Sequence, residues 1–117
     1  MVQGGLDAAI AAVTESGQPY ATETRTIDGV DFVVFSNAPD NLRELYRQGL
    51  QYSDRDFFVY QDERCTYQQA WEEAARVGNQ LKREGIRPGD RVGISFRNYP
   101  EWIFAFMGIT SIGAVAV

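Results

Sequence analysis

The stretch from Arg91 to Val117 constrains the fold more than any other part of the chain. Val92, Ile94 and Phe96 alternate as one face of a strand. Pro100 takes the first position of a helix, where its missing N–H costs nothing, and Glu101 falls in the first turn. Trp102 to Ile109 is apolar all round, which predicts a helix covered on most sides rather than an amphipathic one. Thr110-Ser111-Ile112-Gly113 ends it, and Ala114-Val115-Ala116-Val117 begins an apolar strand. Strand, helix and strand at this spacing predict a βαβ unit over 91–117, with parallel strands and a right-handed crossover. Parallel strands are buried on both faces and need further strands and helices, so the sequence is expected to be truncated within that last strand.

The elements upstream follow from shorter signals. Leu6, Ala9, Ile10 and Val13 have helical spacing, closed by Gly17 and Pro19. Asp28-Gly29 lies between two β-rich runs, Thr22 to Ile27 and Val30 to Val34, and predicts a two-residue hairpin whose central positions both need positive φ. Asn41 with Glu44 has the layout of a capping box for a helix over about Leu42 to Gln51. Phe57-Phe58-Val59-Tyr60 is expected as a buried strand, turning at Asp62-Glu63 into a short Arg64-Cys65 return. The clearest element starts at Thr66, an N-cap with Gln69 at N3. Behind it Tyr67, Ala70, Trp71, Ala74, Ala75, Gly78 and Leu81 form one apolar stripe. Gly85 is placed for a left-handed C-cap, and Pro88-Gly89 for a tight turn into Arg91. The expected class is α/β.

Composition narrows function mainly by exclusion. The 117 residues contain no histidine, which removes the commonest general base, Ser-His and Cys-His nucleophile pairs and most zinc sites. A net charge of −5 with dispersed arginines argues against nucleic acid as a partner. The apolar fraction, 44%, is enough for a real core. Cys65 is the only cysteine, so no intrachain disulfide forms, and it is expected to be a small apolar strand residue in a reducing compartment. The first residues carry no basic segment followed by a long apolar stretch, which makes the cytoplasm the expected location. Trp102 to Val117 is uncharged but shorter than the roughly 20 residues that span a bilayer, so no membrane span is expected.

Candidate chemistry is sparse. The acidic pairs Asp62-Glu63 and Glu72-Glu73 are expected on solvated faces rather than as paired catalytic carboxylates. No Gly-rich phosphate loop of either common pattern is present, and Lys82, the sole lysine, falls on the solvated face of the helix after Thr66. Gly89-Asp90 is expected to serve the turn between helix and strand.

Taken in order, Thr66-Tyr67, Gly85-x-x-x-Gly89-Asp90-Arg91-Val92, Asn98-Tyr99-Pro100-Glu101-Trp102 and Gly113-Ala114-Val115 resemble the N-terminal part of the adenylate-forming superfamily. That superfamily contains acyl-CoA synthetases, peptide-synthetase adenylation domains and firefly luciferase. The resemblance covers roughly Phe57 to Val117. Ile27-Asp28-Gly29-Val30 and Phe35 through Pro39 to Leu45 are similar to the leader of the fatty-acyl-CoA synthetase branch. The resemblance implies a leader over 1–56 (helix, hairpin, helix) and the start of the large domain over 57–117. It also implies a parent enzyme that uses ATP and Mg²⁺ to turn a carboxylate, such as a fatty acid, into an acyl-adenylate. Pyrophosphate leaves, and the acyl group passes to coenzyme A. Adenylation exchanges a poor leaving group for a good one, and the phosphate charge needs metal, lysine and a loop rich in Gly, Ser and Thr.

Those parts of the family lie C-terminal to the strand that begins at Ala114, so the resemblance assigns no catalytic, cofactor-binding or metal residue to this chain. No cofactor is expected on the chain by itself. Thr66 matches the helix cap, Gly89-Asp90 the turn, and Asn98, Glu101 and Trp102 the loop and helix that follow, all expected to be architectural. Asn98 lies beyond the carboxyl end of a parallel strand, where open α/β sheets hold ligands, which leaves a pocket-lining role open.

The leading expectation is scaffold for an acyl-CoA synthetase, with the remainder of its own chain as partner. The alternative is a stand-alone interaction module that pairs through the apolar C-terminal helix and the open sheet edge. Either way the exposed edge is expected to drive self-association.

Overall fold

The computed structural model describes Gln3–Val117. Met1 and Val2, part of the stretch read for a secretory signal, lie outside the described residues. The chain divides into two compact units, Met1–Pro39 and Asp40–Val117.

In the first unit helix α1 (Gln3–Thr14) precedes the hairpin of β1 (Thr22–Ile27) and β2 (Val30–Phe35). The strands pair antiparallel from Thr22 opposite Phe35 to Ile27 opposite Val30. Asp28 and Gly29 both take positive φ, 50° and 80°, as the two-residue turn requires. Ala21 is buried, and its carbonyl accepts the Ser36 N–H at 2.8 Å and the Ser36 hydroxyl at 2.7 Å, which closes the mouth of the hairpin.

The second unit contains α2 (Leu42–Gln48), a 3₁₀ turn (Gly49–Tyr52), β3 (Asp56–Tyr60), β4 (Glu63–Thr66), α3 (Tyr67–Arg83), β5 (Arg91–Val92), α4 (Pro100–Ser111) and β6 (Val115–Ala116). It takes in the 42–48 helix that the resemblance grouped with the leader. Two features of α2 differ from expectation. Asn41 accepts the Glu44 N–H at 3.0 Å, but the Glu44 carboxylate turns to the Arg47 guanidinium at 2.7 Å instead of closing the capping box. The helix also tightens at Gly49 rather than continuing to Gln51. A Cβ at Gly49 would stand 2.8 Å from the Tyr67 ring, so the chain passes close beneath α3 at its weakest helix former.

β3 and β4 form the expected hairpin, with Tyr60 opposite Glu63. Its turn is Gln61-Asp62, and Gln61 itself takes the left-handed conformation at φ 52°. Thr66 and Gln69 complete a full capping box on α3, at 3.2 and 2.9 Å. The far end is a Schellman motif, in which Ile86 N–H reaches the Leu81 carbonyl and Gly85 N–H the Lys82 carbonyl, with Gly85 at φ 90°.

β5 and β6 are parallel, joined through α4, with Arg91 opposite Val115 and Val92 opposite Ala116. Flanking bonds extend the ladder, from Gly89 N–H to the Gly113 carbonyl and from Ile94 N–H to the Val117 carbonyl, each 2.8 Å. The strand expected over Arg91 to Phe96 is regular only over Arg91–Val92, which pair with Val115 and Ala116.

The interior is built from small side chains. Ala70, Ala74 and Gly78 are buried in α3 and Met107, Gly108 and Ile109 in α4, with Ala74 and Gly78 facing Gly108. Among the described residues no large side chain is fully buried. α4 is covered less than its composition predicts, since Trp102 remains 39% exposed and stacks on Phe106 along the helix at 5.3 Å. Phe58 against Phe104 at 5.8 Å and Phe57 against Tyr67 at 4.9 Å tie the β3–β4 hairpin to both helices. Among the described residues there are three two-stranded sheets, and β6 of the parallel pair packs against α4.

Candidate functional site

The carboxyl end of β5 runs into the loop 93–99 and the first turn of α4. Asn98 is exposed there, Tyr99 is the N-cap residue of α4, and Glu101 is exposed in its first turn. The Tyr99 ring packs edge-on against Tyr60 at 5.8 Å, so the β3–β4 hairpin braces this loop. Gly89 and Asp90 act in the turn. Gly89 needs its φ of 88°, and the Asp90 carboxylate accepts the Arg87 N–H at 2.8 Å while its carbonyl accepts the Val115 N–H. Gly89 and Asp90 thus tie the turn before β5 to the Gly113–Val115 segment.

The other candidates settle locally. Glu72 accepts a hydrogen bond from Gln68, and Glu73 pairs with Arg76 on the exposed face of α3. Asp62 lies in the β3–β4 turn and Glu63 is the first residue of β4, and both are exposed. Cys65 is buried in β4, and its Sγ lies 3.5 Å from the Thr66 carbonyl. Burial, and secondarily the charge of Glu73, pushes its thiol above the ordinary value, which keeps it protonated and unreactive at neutral pH. Among the described residues no three Cys, Asp or Glu side chains gather as a metal site.

Two concavities flank α3 on surfaces that no motif marks. An apolar one of about 390 Å³ lies between α2, the 3₁₀ turn and α3, lined by Leu45, Tyr46, Tyr52, Phe57, Tyr67, Trp71 and Met107. At its edge the Tyr46 hydroxyl meets Thr110 Oγ1 at 3.0 Å. The Thr110 hydroxyl already donates to the Phe106 carbonyl at 2.7 Å, so Tyr46 is the donor. The second, about 280 Å³, is polar on one side, with Arg43, Asn79 and Lys82 exposed around buried Ala74 and Gly78. Ser111 also lines it, and its Oγ is buried without a hydrogen-bond partner. A buried hydroxyl left unpaired costs about 1–3 kcal/mol. The residues come from α2, α3 and α4, far apart in sequence, so periodicity places Lys82 on an exposed face but not beside Arg43.

Comparison with known proteins gives this geometry a family. The model of the AMP-binding enzyme family matches residues 45–117. A medium/long-chain fatty-acid–CoA ligase of Mycobacterium tuberculosis, FadD6, is 38% identical over 66 residues, which are 56% of this chain and 11% of that protein. The pyochelin synthetase PchE of Pseudomonas aeruginosa is 28% identical over 102 residues, 87% of this chain and 6% of that one. Among solved structures, the anthranilate CoA ligase AuaEII in complex with anthranoyl-AMP superposes with a TM-score of 0.65 at 32% identity. That superposition covers 69% of this chain and 16% of the ligase. The N-terminal subdomain of NpsA from Klebsiella oxytoca, at 22% identity and a TM-score of 0.63 over 65% of this chain and 20% of that one, shares the fold. This chain therefore spans only a small part of the relatives it matches. It belongs to the AMP-binding enzyme family, and corresponds to the N-terminal part of an adenylate-forming member.

Proposed function

We propose that this chain is the N-terminal scaffold of an acyl-CoA synthetase, which converts a carboxylate and ATP to an acyl-adenylate and then to an acyl-CoA. The observation that carries the reading is the parallel β5–β6 pair with α4 as its crossover, in a segment that matches the family over 45–117. Likeness to a fatty-acid–CoA ligase and to acetyl-coenzyme A synthetases supports the thioester-forming branch, with a fatty acid as substrate.

ATP, Mg²⁺ and coenzyme A belong to the complete enzyme. The residues present do not fit the first two, since the described side chains offer neither a metal-holding acidic group nor a phosphate loop. This chain's own contribution is architectural. The Gly89-Asp90 turn and the Tyr60–Tyr99 contact set the loop at the carboxyl end of β5, where open α/β sheets hold ligands.

For the complete enzyme we carry a leader over 1–56 and a large domain from 57. Limited proteolysis decides the side on which α2 falls, because cleavage at 53–56 leaves it with the leader and cleavage at 36–40 joins it to the large domain. A cytoplasmic enzyme accords with the single cysteine, and no described helix is long and apolar enough to cross a membrane. Val115 and Val117, 47% and 70% exposed, support self-association of the chain through its open edge.

The test of the scaffold reading is carboxylate-dependent exchange of pyrophosphate into ATP, measured on the 117-residue chain with acetate, octanoate and anthranilate. No exchange is expected with any of them. Exchange above background by the purified chain overturns the view that it supplies framework alone.

A further inference from the structure

We propose that the cavity between α2, α3 and α4 is an oxyanion-binding site that takes a phosphate or carboxylate group. The chain is acidic overall, with 16 Asp and Glu against 11 Lys and Arg, yet two cations line this one cavity. Among the described residues Arg43 and Lys82 form no ion pair, as is also true of Arg55, Arg83, Arg87, Arg91 and Arg97, but these two share one concavity. An arginine fork and a lysine point charge on the same concavity form the donor set that oxyanions select. Asn79 adds a neutral amide, and Ser111 presents a buried hydroxyl that lacks a partner. Ala74, Gly78 and Ile112 line the interior, and Trp71 supplies an aromatic wall able to cover an apolar body attached to the anion. The volume, about 280 Å³, suits a small molecule rather than a folded partner. The site shares no residue with the loop after β5 and stands apart from the adenylation reading.

The test is a titration of the whole chain with inorganic phosphate, and in parallel with acetate, at constant ionic strength maintained with chloride. The readouts are the Trp71 indole N–H and the Asn79 side-chain amide in two-dimensional NMR. A saturable shift of both signals is expected, and the arm that saturates at lower concentration tells phosphate from carboxylate. Arg43→Gln and Lys82→Gln alter exposed side chains and keep the fold, which their remaining spectra verify. Each should weaken the saturating anion roughly tenfold, the loss of one charge-assisted hydrogen bond. Ser111→Ala should weaken it less. Shifts that are linear in both anions, reproduced by chloride, or unchanged in both charge variants overturn the assignment.

Discussion

Gly108 of α4 rests against the backbone of Ala74 in α3: a Cβ built on Gly108 would stand 2.9 Å from the Ala74 carbonyl oxygen and 2.8 Å from Val77 Cβ. Two backbones held this close leave no flexible side chain that can move away. Gly78, one turn beyond Ala74, faces the same crossing, with 3.1 Å from its would-be Cβ to the Gly108 carbonyl oxygen and 3.0 Å to Ile112 Cγ2. The α3–α4 layer on which the parallel strands depend is therefore set by two glycines.

Substituting them should separate close approach from helix propensity. Gly108→Ala gains about 1 kcal/mol of propensity but pushes on fixed backbone, where overpacking costs about 1–3 kcal/mol. A net loss of about 0–2 kcal/mol is expected in urea unfolding. Gly78→Ala, with milder contacts, is expected within about 1 kcal/mol of the unaltered chain. A Gly108→Ala protein more stable than the parent contradicts the close crossing.

The Thr66 capping box is the strongest local determinant of α3. Thr66→Ala is expected to cost about 1 kcal/mol, and Gln69→Ala, which removes only the return bond, less. Equal unfolding midpoints for all three proteins would show that the cap contributes nothing.

The Tyr46 hydroxyl joins α2 to α4 through Thr110. Tyr46→Phe is expected to lose about 0.5–1.5 kcal/mol, and a double-mutant cycle with Thr110→Val should show positive coupling. Zero coupling counts against the bond. Because Thr110 also donates to its own helix, Thr110→Val alone is expected to cost no less than Tyr46→Phe.

Cys65 makes stability depend on alkaline pH. Its thiol is raised in the folded state by desolvation and then by Glu73, so the unfolded chain ionises first, from about pH 9.0 upward. The contribution is fully present below that pH and is lost as pH rises through the folded value. Native protein is expected to react slowly with iodoacetamide at pH 8 and unfolded protein quickly, and Cys65→Ala should flatten the alkaline decline. Equal alkylation rates in the two states contradict a buried thiol.

The sequence reveals what is decided locally. Asp28-Gly29, Thr66 with Gln69, and Gly85 each act within four or five residues, and the structure has all three as expected. The periodicity of α3 and the order of elements in the βαβ unit were legible for the same reason. Competition between partners was not, as Glu44 shows by choosing Arg47 over the Asn41 N–H. Gln61 gives no turn signal because a β-hairpin imposes the positive φ on a residue that does not favour it. The regular part of β5 is short because pairing depends on the opposite strand, which local pattern does not encode. The polar cavity was invisible for the strongest version of this reason, since Arg43, Lys82 and Ser111 meet only when three helices pack.

The most direct measurement for the scaffold account is pyrophosphate exchange by a chimera in which residues 45–117 replace the matching segment of a fatty-acid–CoA ligase. The account expects a folded chimera with carboxylate-dependent exchange, reduced when Gly108→Ala loosens the α3–α4 layer. A chimera that folds but gives no exchange contradicts it.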